Sequence, residues 1–253
     1  MRLLSWNIHK GIGGQDRRYS LHRIIDTIES ENPDIICLQE VDRHVHRSHF
    51  DDQPRLLASY FRCQSMFQSN VQVGNGAYGN LVLSRWPIVS RHRVSLRKGS
   101  RKPRGAQLLL IASPEGGVHL IHTHLGLMEK ERQWQIERLT GHALFPSLDT
   151  LPTLVVGDFN DWRDSLWKQH LSDQGFAQVT HPVRHFKSFP SWLAVGSLDK
   201  AFARGPLHIH HARMVKTSLS KVASDHLPLV IDFHVNSCHT KYGAAESGNH
   251  GKK

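Results

Sequence analysis

The chain has 253 residues, enough for one large domain with a substantial core. Its 39% hydrophobic and 21% charged residues are ordinary for a globular protein, and no apolar run approaches the roughly 18 residues that span a bilayer. The net charge of +10, with 20 histidines counted neutral, favours polyanionic partners such as nucleic acid, anionic lipid headgroups or phosphorylated small molecules, without choosing among them.

In chain order, Arg2–Ile8 reads as a first strand. Met1–Asn7 has no long apolar stretch and no cleavage-site pattern, so it does not read as a secretory signal. Ser20–Glu31 reads as a helix, with Ser20 as N-cap and Leu21, Ile24, Ile25 and Ile28 on one face. Strand Asp34–Glu40 and helix Asp51–Phe61 follow. Strands at Asn80–Ser84, Ile88–Leu96, Ala106–Ala112 and Gly117–His124 come in close succession. A helical pattern covers Met128–Phe145, then a strand Thr153–Gly157, then a helix Asp164–Gln174 that Gly175 stops. Strands Ser197–Arg204, His208–Val215 and Leu227–His234 complete the series.

Early strands alternate with helices, and the rest is mostly strand with connections too short for parallel crossovers. The expected fold is α/β: two mixed, largely antiparallel sheets packed face to face with helices outside. One domain is expected over residues 1–235, with a polar, disordered tail at 236–253. The three cysteines have no zinc-ligand or redox spacing, so the expected compartment is the reducing cytoplasm.

Polar residues fall where apolar runs end. Leu3-Leu4-Ser5-Trp6 runs into Asn7, Ile35 to Gln39 into Glu40, Val118 to Thr123 into His124, and Leu154 to Gly157 into Asp158, while Asp225-His226 precedes Leu227. Strands packed in one core share a rim, so these groups can converge. Glu40 offers the hard carboxylate oxygen that Mg²⁺ or Mn²⁺ prefers. Asn7 offers an amide oxygen to the same ion or an NH₂ to a phosphate. Asp158 can orient or deprotonate water, and Asn160 points the same way if the chain there is extended. His124 and His226 can stabilise negative charge on phosphate oxygens, and Asp199 or Asp225 can orient an imidazole. Taken singly, each has a plainer reading as a turn residue, a helix cap or a solvated charge.

The segments Leu4-Ser5-Trp6-Asn7-Ile8, Cys37-Leu38-Gln39-Glu40-Val41, Gly79 to Arg85, Thr123-His124-Leu125, Val156-Gly157-Asp158-Phe159-Asn160, Leu198-Asp199 and Ser224-Asp225-His226-Leu227-Pro228 resemble, in order, the endonuclease/exonuclease/phosphatase (DNase I-like) family. The resemblance implies a four-layer α/β sandwich and hydrolysis of phosphate esters with Mg²⁺ or Mn²⁺. It implies Glu40 as main metal ligand with Asn7 and Asp225 nearby. Asp158 would act on the attacking water, Asn160 would orient the phosphate, and His226, paired with Asp225 or Asp199, would stabilise the transition state. His124 would be a further phosphate contact or acid. Asn80, Arg104 and His122 would line the substrate cleft, His122 having the alternative of a buried strand histidine.

Lys200 stands where many relatives have an aromatic residue. His208, His210 and His211 read as surface, the Glu129–Arg138 charge run as a solvated helix face, and Phe189 to Leu193 as a loop packed on the core. The expected substrate is a phosphodiester in nucleic acid or a phospholipid headgroup. The alternatives are a phosphomonoester of a small metabolite or inositol phosphate, and a non-catalytic binding module of the same fold.

Overall fold

A computed structural model describes residues 1–145 and 151–236. The strands are β1 (Arg2–Asn7), β2 (Ile35–Arg43), β3 (Gln64–Val73), β4 (Gly76–Ser84), β5 (Ile88–Ser95), β6 (Gly105–Ser113), β7 (Gly116–His124), β8 (Thr153–Asp158), β9 (Ala177–Gln178), β10 (Asp199–Arg204), β11 (Leu207–Met214) and β12 (Leu229–Val235). The α-helices are α1 (Leu21–Glu31), α2 (Gln53–Tyr60), α3 (Glu129–Thr140) and α4 (Ser218–Ala223). They build two six-stranded sheets, ordered β11-β12-β1-β2-β4-β3 and β5-β6-β7-β8-β10-β9. Pairing is antiparallel except for β1–β2 and β7–β8. Those two pairs enclose α1 and α3 in sequence, and a parallel pair needs such a crossover.

Side-chain alternation sorts the strands into layers. Leu3, Ile35 and Cys37 of the first sheet share a buried cluster with Leu120, Leu154 and Val156 of the second. Leu4, Trp6, Ile36 and Leu38 point the other way and pack on Leu21, Ile24, Ile25 and Ile28 of α1. Ile121, Val155 and Phe202 cover the far side of the second sheet with Ile136 and Leu139 of α3. Three apolar layers between four layers of backbone are the expected sandwich. Each fully buried large aliphatic side chain contributes roughly 1.5–3 kcal/mol. No helix among the described residues is long and apolar enough to cross a membrane.

Some elements depart from expectation. Strand β3 was not anticipated: it is an edge strand paired only with β4, mostly exposed or half-buried, so its sequence lacks an apolar signature. The helix expected at Asp164–Gln174 is instead a π turn at Trp167–Leu171 and a 3-10 turn at Ser172–Gln174. Asp164 takes a left-handed backbone (φ 55°) while its carboxylate binds Lys200 Nζ at 2.5 Å and Gln178 Nε2 at 2.9 Å, which is incompatible with a regular helix start. This pair also accounts for Lys200, whose buried ammonium needs an anion. Glu131 and Arg132, expected to be solvated, are buried. Arg132 Nη1 donates to the Leu127 carbonyl at 2.6 Å, and Gln135 Oε1 accepts from Gly126 N at 2.8 Å, so α3 holds the loop that follows β7. Ser20 sits at the N-cap of α1 but its side chain makes no capping bond. Apart from Asn236, the expected tail lies outside the described residues.

Gly157 decides how β7 and β8 meet. Its φ is +145°, and a Cβ there would lie 1.9 Å from the Thr123 carbonyl oxygen. Only a residue without Cβ lets the two strands lie in register with His124 beside Asp158. Gly157→Ala is expected to destabilise the protein by about 3 kcal/mol or more through this clash and strain. Urea denaturation of the purified variant checks this; an unchanged midpoint would contradict it.

Candidate active site

The rim that alternation predicts is present. Parallel register puts His124 beside Asp158, and antiparallel register puts Asp199 opposite Asp158. Asn7, at the end of β1 in the other sheet, donates Nδ2 to Asp158 Oδ2 at 3.0 Å. His124 Nε2 lies 3.3 Å from the same oxygen and His226 Nε2 lies 3.9 Å from it. His226 Nδ1 is hydrogen-bonded to Asp199 Oδ2 at 2.7 Å. The imidazole therefore stands between two carboxylates, all of them buried.

Glu40 reaches the rim by a backbone irregularity. Strict alternation would send it to the face opposite Gln39. The β2–β4 register slips between Leu38 and Val41, and Glu40 takes φ 59°. This bulge turns Val41 onto the α1 side and leaves Glu40 in the cleft, where one oxygen meets Lys10 Nζ at 2.5 Å.

The Ser224-Asp225-His226 segment is tied to β1. Ser224 Oγ donates to the Asn7 carbonyl at 2.7 Å, His226 N donates to Ser224 Oγ at 3.3 Å, and Trp6 Nε1 donates to the His226 carbonyl at 2.8 Å. The Phe189 ring packs on the His226 ring with centroids 4.9 Å apart, but Trp192 and Leu193 of the same loop are exposed, so only part of the segment expected to pack on the core does so. Of the two partners expected for His226, the geometry supplies Asp199. Asp225 instead faces His9, at 3.8 Å from Nε2.

Three expectations are corrected. Asn160 is not in extended chain: β8 ends at Asp158, and Asn160 has φ 51°. Its backbone N–H donates to Asp158 Oδ1 at 3.0 Å and its side chain to the Leu125 carbonyl at 3.1 Å, so it steadies both Asp158 and the loop after His124. His122 is fully buried between the sheets, with Nε2 at 2.6 Å from Gln39 Nε2 and Nδ1 at 2.8 Å from Gln107 Oε1. With both ring nitrogens engaged it is a structural histidine rather than a substrate contact. Asn80 is also buried, its NH₂ donating to the Gly105 carbonyl at 3.2 Å next to Arg104. Arg104 does reach the cluster, with Nη1 3.2 Å from His124 Nδ1.

Lys10 was missed. It lies in no strand and shows no periodicity; its placement comes from left-handed backbone at His9 and Lys10 (φ 45° and 64°), which follow Asn7 after Ile8. Two such non-glycine residues in a row are costly and mark a constrained loop. Tyr78 was missed too, because a tyrosine inside an apolar strand looks like core; its hydroxyl hydrogen-bonds toward Glu40.

The charges are held apart in protonation. Burial would lower the His226 pKa, but Asp199 and Asp158 outweigh it and raise it to about 10. Burial, with Asp199 adding, raises Asp158 to about 6 against the opposing pull of His226. Burial and then Arg104 push His124 well below the usual histidine value, so it is neutral. Burial opposes ionisation of Glu40, yet the charge and hydrogen bond of Lys10, with a hydrogen bond from Tyr78, hold it below the usual carboxylate range.

The donor set fits a hard divalent ion. Among the described residues no three His, Cys, Asp or Glu side chains form a ready-made cage. Mg²⁺, however, is commonly held by one or two carboxylates with waters. Glu40 supplies an ionised carboxylate, with the Asn7 amide oxygen and Asp225 as further oxygens. A bound ion would compete with the Lys10 ammonium for Glu40.

Fold and site together define a DNase I-like sandwich with a polar cleft at its strand ends. The chain belongs to the endonuclease/exonuclease/phosphatase family, whose pattern matches residues 4–226. Proteins of this family are in general phosphoester hydrolases, typically dependent on a divalent metal. The chain is 30% identical over 249 residues to the uncharacterized protein YbhP of Escherichia coli K12, covering 92% of this chain and 96% of YbhP. A solved endonuclease/exonuclease/phosphatase from Beutenbergia cavernae superposes with TM-score 0.75 at 20% identity, covering 93% of this chain and 71% of that one. The human Nocturnin catalytic domain with bound sulfate gives 0.67 at 22%, covering 93% and 94%. Truncated Caenorhabditis elegans TDP2 gives 0.66 at 19%, covering 92% and 97%. These likenesses show the fold.

The His226 pairing has a defined pH signature. Because its folded pKa is raised, the stabilisation is fully present below the ordinary histidine pKa of about 6.5 and is lost as pH rises through about 10. Asp199→Asn is expected to lower the His226 pKa and to cost most stability below that ordinary value, with the deficit shrinking toward pH 10. Proton NMR titration of the imidazole and denaturation at both ends of the window check this. An unchanged imidazole pKa would contradict the pairing.

Proposed function

We propose that the protein hydrolyses phosphodiester bonds with the help of Mg²⁺ or Mn²⁺, by in-line attack of a water held at Asp158. The observation that carries this is the convergence of Asn7, His124 and His226 on one buried carboxylate oxygen, with His226 backed by Asp199. The family's hydrolytic character supports it.

The two pKa values divide the roles. Asp158, raised to about 6, can be ionised at neutral pH and still take a proton from water; His226, raised to about 10, stays protonated. In this reading Asp158 is the general base, and the His226 imidazolium offsets charge on the phosphorane-like transition state. Asp199 fixes the ring through Nδ1, leaving Nε2 toward Asp158 and the reacting phosphate. Asn7 and the Asn160 N–H hold the two Asp158 oxygens in place. Neutral His124, its Nδ1 accepting from Arg104, keeps its one N–H at Nε2, directed to Asp158 Oδ2. Glu40, with Asn7 and Asp225, would hold the metal ion, which when bound supplies Lewis-acid charge against the phosphate oxygens. No Ser or Cys nucleophile is invoked.

Glu40→Ala and His226→Ala are each expected to reduce hydrolysis of bis-p-nitrophenyl phosphate roughly 10²–10⁴-fold while the protein stays folded. Full activity in either purified variant would refute the assignment. EDTA is expected to inactivate the enzyme, and added Mg²⁺ or Mn²⁺ to restore it. Activity that survives thorough chelation would remove the metal from the account. Complete inactivity of the wild type in both metals would favour a binding module of the same fold.

A further inference from the structure

Beside Glu40 the cleft wall carries more positive charge than its carboxylates balance. Three cations surround the ring of Tyr78: Lys102 Nζ at 4.6 Å, Arg47 Cζ at 5.4 Å and Lys10 Nζ at 5.9 Å from the centroid. Arg104 hydrogen-bonds the Tyr78 hydroxyl. Two of the four are neutralised. Arg47 forms a two-pronged ion pair with Asp42 at 2.8 and 2.7 Å, and Lys10 pairs with Glu40 at 2.5 Å. The other two form no ion pair with a carboxylate among the described residues. Lys102 Nζ has the Tyr78 hydroxyl at 3.4 Å, and Arg104 donates Nη1 to His124 while its buried Nε has no hydrogen-bond partner.

A buried guanidinium N–H without an acceptor is costly, and like charges crowded together repel. The crowding also shows in Lys102, where burial and then Arg104 press its pKa below the ordinary lysine value. An anion accepting from Lys102 and the Arg104 Nε would relieve both. Arg104 touches His124, which touches Asp158, so such an anion would sit immediately beside the proposed reacting phosphate.

We propose that Lys102 and Arg104, with Tyr78 as the platform between them, form a second phosphate subsite, and that the preferred substrate carries a second phosphate next to the one that is cleaved. This rests on the phosphoesterase reading above. Lys10 and Arg47 add to the field without spending their own partners. The substrate class is then a polyphosphorylated molecule with neighbouring phosphate groups, and an isolated diester fills only half of the site.

The test compares three esters on wild type and Lys102→Gln: bis-p-nitrophenyl phosphate, thymidine 5′-(p-nitrophenyl phosphate), and the latter bearing a 3′-phosphate, together with the isomer in which the two positions are exchanged. Lys102 lies in the loop between β5 and β6 and is exposed as a whole, with only its ammonium end partly buried, so its replacement is not expected to disturb folding. In the wild type the added phosphate should lower KM roughly tenfold in at least one isomer, the size of one charge-assisted hydrogen bond. Lys102→Gln should abolish that difference and leave kcat on bis-p-nitrophenyl phosphate within about twofold, since only the second phosphate meets Lys102. No gain from the second phosphate in either isomer, or an equal loss on all esters in the variant, overturns the subsite. If the wild type cleaves none of the esters, the phosphoesterase reading has failed, and calorimetry decides the subsite alone. Pyrophosphate binding more tightly than inorganic phosphate to wild type but not to Lys102→Gln supports it; equal binding to the wild type overturns it.

Discussion

The structure depends on one buried carboxylate. Asp158 stands at the junction of the two sheets, and an ionised group there is costly unless other groups replace its water. Those groups come from every side: Asn7 from the first sheet, His124 from the neighbouring strand, the Asn160 N–H from its own turn, and His226 from the loop before β12. Each link also fixes a chain segment. The same contacts that make Asp158 tolerable therefore hold the sandwich closed at this end and set the distances on which the chemistry relies.

Regular strands alone would not give this arrangement. Three backbone departures aim the side chains: Gly157, which lets β8 approach β7; the bulge at Glu40, which turns a carboxylate from the helix side into the cleft; and the His9-Lys10 turn, which brings an ammonium onto it. Of the twelve non-glycine residues with positive φ among the described residues, four, His9, Lys10, Glu40 and Asn160, lie at or next to the site. Strain of this kind persists only where surrounding contacts over-determine it. The outer layers supply that determination: α1 packs behind β1 and β2, and the buried polar face of α3 holds the loop between His124 and Met128.

The layers were legible because the apolar runs are long and alternate cleanly: Leu3 and Leu4, Ile35 and Ile36, and Leu154 to Val156 each feed two different cores. Asn7, Glu40, His124 and Asp158 were legible because each ends such a run. What depended on long-range placement was not. Asp199 and Asp225 were equal as partners of His226 until their positions around the ring were known. Asn160 was misplaced because the chain leaves the extended conformation one residue after Asp158. Lys10 and Tyr78 carried no local signal, and β3, at a sheet edge with little to bury, resembled loop.

The most direct measurement is the hydrolysis rate of Asp158→Asn, which keeps the shape of the side chain and removes its charge. With bis-p-nitrophenyl phosphate and Mn²⁺, the account predicts a folded protein whose kcat falls roughly 10²–10⁴-fold at all pH values. A folded Asn variant that retains wild-type kcat would show that the carboxylate at the junction of the sheets is architecture alone and that the chemistry lies elsewhere.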